Sequence, residues 1–127
     1  MMRRVGFFRE LPHGDPNGPS LSDAIGFTAA ELAVRLGRYL EGGRLLAAVP
    51  TPGVDVLDST RSGVPSPHLL TDGQWVWPAD LAHYVERYHV GVPDAFLVDI
   101  AAAGWRIEIT DGRGRSDCRE LRRSFLA

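Results

Sequence analysis

Asp72, Asp80 and His83 fall close together in the chain, and two carboxylates beside an imidazole are the parts from which general acid–base chemistry is built. Each also has a local role that accounts for it. Asp72 precedes Gly73 in a turn pair, Asp80 follows Pro78 where a carboxylate complements the positive end of a predicted helix, and His83 flanks that helix. The trio is the best enzyme candidate the sequence offers, and no catalytic residue is assigned from it.

Other chemistry finds no frame. No G-x-G-x-x-G follows a predicted strand, and a chain without lysine has no P-loop lysine. Gly112-Arg113-Gly114 is the nearest thing to a phosphate cradle and reads as a turn after Asp111. H-E-x-x-H and C-x-x-C are missing, His13 and His68 lie in loops with no ligand spacing, and His89 reads as a helix C-terminal residue, so no metal and no cofactor are expected. Cys118 sits among arginines that would depress its pKa, but no base is identifiable for it.

What remains is an unusual concentration of aromatics in TDGQWVWPADLAHYVERYHVGVPDAF, residues 71–96. Trp75 and Trp77 point to one face of a predicted strand and Val76 to the other. Tyr84 and Tyr88 share a helical stripe with Leu81 and Val85. Such residues serve either as core or as contact surface, because Trp and Tyr dominate interface hot spots. The candidate partner-binding set is therefore Asp72, Trp75, Trp77, Asp80, His83, Tyr84, Glu86 and Tyr88. A ligand pocket beside Trp77, Asp80 and Tyr84 is the alternative.

Several elements must position these residues. A strand is predicted over Val5–Leu11, followed by the turn-rich loop HGDPNGPS and a brief helical turn at Leu21. Thr28 and Glu31 form a capping box opening a helix with Leu32, Leu36, Tyr39 and Leu40 inward, stopped by a left-handed Gly42-Gly43. Leu45–Val49 reads as a strand, extended structure restarts at Val54, Val56 and Leu57, and the following proline-rich stretch to Pro67 is irregular. Asp72-Gly73 turns into the strand Gln74–Trp77, and Pro78 starts a helix that Gly91 ends. Pro93-Asp94 starts another, with Phe96, Leu97, Ile100 and Ala101 inward. Trp105, Ile107 and Ile109 alternate as a strand, and Ser116–Phe125 reads as an amphipathic helix.

This order predicts an α+β fold, a small antiparallel sheet packed by three to four helices, in a single domain over 1–127 with 113–127 as a basic helix or tail. With 127 residues, 44% of them hydrophobic, one core without staples is feasible. The single cysteine, the short interrupted apolar run at the N-terminus and the lack of any apolar stretch of membrane-span length lead us to expect a cytoplasmic protein with no membrane contact. The formal charge of −2 and the mixing of signs argue against a nucleic-acid module. Arg113, Arg115, Arg119, Arg122 and Arg123 are the local exception, and they support a nucleic-acid-linked regulator as a further alternative.

FFREL, HGDPNGPSL, the helix ending YLEGG and above all residues 71–96 together resemble small uncharacterised actinobacterial proteins, some of which are associated with immunity to polymorphic toxins. The resemblance covers most of the chain, brings no site residues, and the arginine-rich tail departs from it. It implies a protein-binding module that neutralises a cognate toxin by occlusion, with a protein partner and an unknown oligomeric state.

Overall fold

The computed structural model describes residues 2–108. Their elements run β1 (Arg3–Arg4), α1 (Leu21–Ala24), α2 (Ala30–Glu41), β2 (Arg44–Ala47), β3 (Leu69–Thr71), β4 (Trp75–Pro78), α3 (Leu81–Tyr88) and α4 (Asp94–Ala102). The four strands make one sheet in the order β1-β4-β3-β2. The fold is α+β, as the sequence predicts. The sheet is mixed, however, because β1 lies parallel to β4 while the β2–β3 and β3–β4 pairs are antiparallel. Only strands joined by a short turn are forced to run antiparallel, and β1 reaches β4 from far away in the chain.

Alternation in β4 decides which side of the sheet becomes the main core. Trp75 and Trp77 face α2, α3 and α4, while Val76 joins Phe7 and Leu46 on the other side. Phe96 of α4 fills the space over both indoles, with ring centroids 5.0 Å from Trp75 and 5.7 Å from Trp77. Tyr39 of α2 closes the layer 6.1 Å from Trp77. The apolar stripe of α3 buries Leu81, Tyr84 and Val85 against α2, whose Ala33, Leu36 and Leu40 supply the facing surface.

Asp72 makes the β3–β4 turn by accepting from the Gln74 and Trp75 amides at 2.9 and 2.8 Å, and Gly73 takes the positive φ of 102° that the turn requires. Glu10 does a similar job at α1. It accepts from the Leu21 and Ser22 amides at 2.8 and 3.0 Å and from the Ser20 hydroxyl at 2.9 Å. Desolvation pushes its carboxyl up, but these donors prevail and hold it at about 2.

Several local expectations are corrected. Only Arg3–Arg4 of the N-terminal segment pairs as strand, although the Val5 amide continues the ladder to Val76 O at 3.0 Å. Thr28 does not cap α2, which begins after Ala29; its buried hydroxyl donates to Val90 O at 2.7 Å. Gly42 has φ −81°, so the helix stop is not left-handed. Gly43 is needed because a Cβ there would lie 2.7 Å from the Trp77 ring. Pro78 ends β4 opposite Leu69, and α3 starts three residues later. That helix closes at His89, itself left-handed at φ 52°, ahead of Gly91. In α4 Phe96 and Ile100 are buried, Leu97 is half-buried and Ala101 is exposed. Trp105 turns left-handed at φ 61° and does not begin a strand. Strand β3, Leu69–Thr71, is an element that the sequence reading does not include. Ile109, the Asp111-Gly112 turn, Cys118, the predicted helix 116–125 and the five C-terminal arginines lie outside the described residues.

Candidate functional site

Between β2 and β3 the chain runs through residues 48–68 without a helix or strand, a connection of the length at which loops tend to be functional. Its central part closes on itself. A Cβ on Gly53 would overlap the Val64 carbonyl oxygen, so glycine lets the two limbs of 53–64 meet as in a compact Ω-loop.

The loop is fastened to α3 through Asp55, which is fully buried. One carboxylate oxygen accepts from the Leu57 and Asp58 amides at 2.8 and 3.1 Å. The other accepts from the Tyr88 hydroxyl and His83 Nε2, both at 2.8 Å, with Arg61 Nε at 3.6 Å. Desolvation raises the pKa of this carboxyl, but His83, Tyr88 and the two amides outweigh it and hold the group below the ordinary carboxylate range. Asp55 is therefore ionised at neutral pH and His83 donates through Nε2. Tyr84 adds a second fastening, donating to Val54 O at 3.0 Å and accepting from the Val56 amide at 3.1 Å. Burial pushes its hydroxyl up to about 12, so it stays protonated.

Asp58 orders the outer limb. It accepts from the Thr60 amide and hydroxyl at 3.1 and 2.6 Å and from Arg61 at 3.3 Å. With its backbone anchored in this way, the loop turns apolar side chains outward: Val54, Val56 and Leu57 are 52%, 36% and 38% exposed.

The sequence-predicted residues separate into different clusters. Asp72 sits at the β3–β4 turn and accepts from Tyr39 at 2.7 Å, an interaction that, after burial, raises the tyrosine's pKa. Asp80, 1% exposed, stands at the N-cap position of α3, where its side chain makes no capping bond and pairs with His13 at 3.0 Å. His83 belongs to Asp55. The proposed acid–base trio is thus not assembled, and among the described residues no Ser, Thr or Cys side chain bonds His83 as a nucleophile would.

Trp75 and Trp77 take the core role, their indole N–H groups donating to Asp99 at 2.8 Å and Leu40 O at 3.1 Å. Trp77, Asp80 and Tyr84 are closed to solvent, so the ligand pocket expected beside them is filled by their own packing. Glu86 is exposed over Gly37, with desolvation and the neighbouring Glu41 raising its pKa. Tyr88 and His83 are half-buried at the root of the loop. The residue that organises the site, Asp55, carries no sequence signal beyond an acid flanked by two valines. Among the described residues no cluster of His, Cys, Asp and Glu could hold a metal ion, and no helix is long and apolar enough to cross a membrane.

Compared with known protein families, with curated proteins and with solved structures, the chain matches none.

Proposed function

We propose that the chain is a cytoplasmic protein-binding module that acts as an immunity protein, occluding the basic cleft of a toxin domain with loop 53–64. One observation carries this: three apolar side chains are presented to solvent by a backbone fixed from beneath through buried Asp55. A loop already held in one shape loses little conformational entropy on binding, so its side chains act as anchors at low cost. The chain's formal net charge of −2 complements a basic partner. Occlusion needs no catalytic group, in keeping with the engagement of Asp55, Asp72, Asp80 and His83 in contacts within the fold.

The test is calorimetry against the toxin-domain product of the adjacent gene. A one-to-one complex is expected, and Val56→Asp with Leu57→Asp should weaken it by at least about tenfold while leaving the thermal midpoint unchanged. The absence of binding by that product, or full affinity in the double variant, removes the reading.

A further inference from the structure

We draw no further inference here: the strongest candidate, the apolar cleft at the β1 edge of the sheet with exposed Phe27 on its rim, carries nothing because nothing in the structure shows what covers it.

Discussion

The aromatic floor and loop 53–64 both rest on the neighbourhood of α3, yet they are held by opposite means. Under the helices, Trp75, Trp77 and Phe96 contribute by excluding water, and their few polar atoms are each matched once. The loop buries a single carboxylate, and its apolar side chains are the ones left outside. Apolar burial tolerates imprecise partners, whereas a buried anion must have every donor in place, so the loop is specified more sharply and is more easily undone. A surface that has to keep one shape while showing hydrophobic groups to water is better anchored by the second means.

The largest expected effect is on the floor. Trp77→Ala should cost about 3–5 kcal/mol, a large share of the stability of a domain this size, and tryptic digestion should then reach arginines throughout the described residues. Asp55→Ala should cost about 3 kcal/mol by stripping partners from two amides, His83, Tyr88 and Arg61, with accelerated cleavage confined to Arg61. Equal digestion patterns in the two variants would erase the distinction between the regions.

Acid should expose the same contrast. Asp55 and Glu10 both have folded pKa values below their unfolded ones, Glu10 at about 2, so their stabilisation is complete above the ordinary carboxylate range and lost as pH falls through the folded values. The urea midpoint should be flat above about pH 5 and decline toward pH 2, less steeply in Asp55→Ala. Glu86 has the opposite sign. Its raised pKa favours the protonated form, a contribution present at low pH and lost as pH rises through the folded value. Because the side chain is exposed, Glu86→Gln should raise the melting temperature at pH 7 by only about 1 °C, the smallest effect of the set.

Local chemistry made the floor legible in the sequence. Period-two alternation assigns Trp75 and Trp77 to one side, Asp72-Gly73 fixes the turn before them, and Pro93-Asp94 marks the start of α4. The loop was not legible because its decisive contacts join Asp55 to His83 and Tyr88, 28 and 33 positions away. The flanking valines invite an extended reading, and only the fold shows that they point outward. Thr28 fails for a related reason: it has a plausible local helix-capping role and is instead bonded to a distant segment through Val90, while Asp80 stands at the N-terminus of α3 as its sequence position implies and gains a distant partner in His13. Leu69–Thr71 is too short to announce a strand and becomes one by lying between β2 and β4.

The parallel pairing of β1 with β4 also has a consequence in time. Arg3 registers with Trp75, so the N-terminal edge waits for a partner about seventy residues later in the chain, whereas β3 and β4 close across a tight turn. During synthesis Val5, Phe7 and Phe8 emerge long before β4, whose Val76 shares a cluster with Phe7 and whose Trp75 and Trp77 share the main core with Val5 and Phe8. This apolar run leaves the ribosome well before β4, and the interval in which it stands uncovered is set by the elongation of everything between.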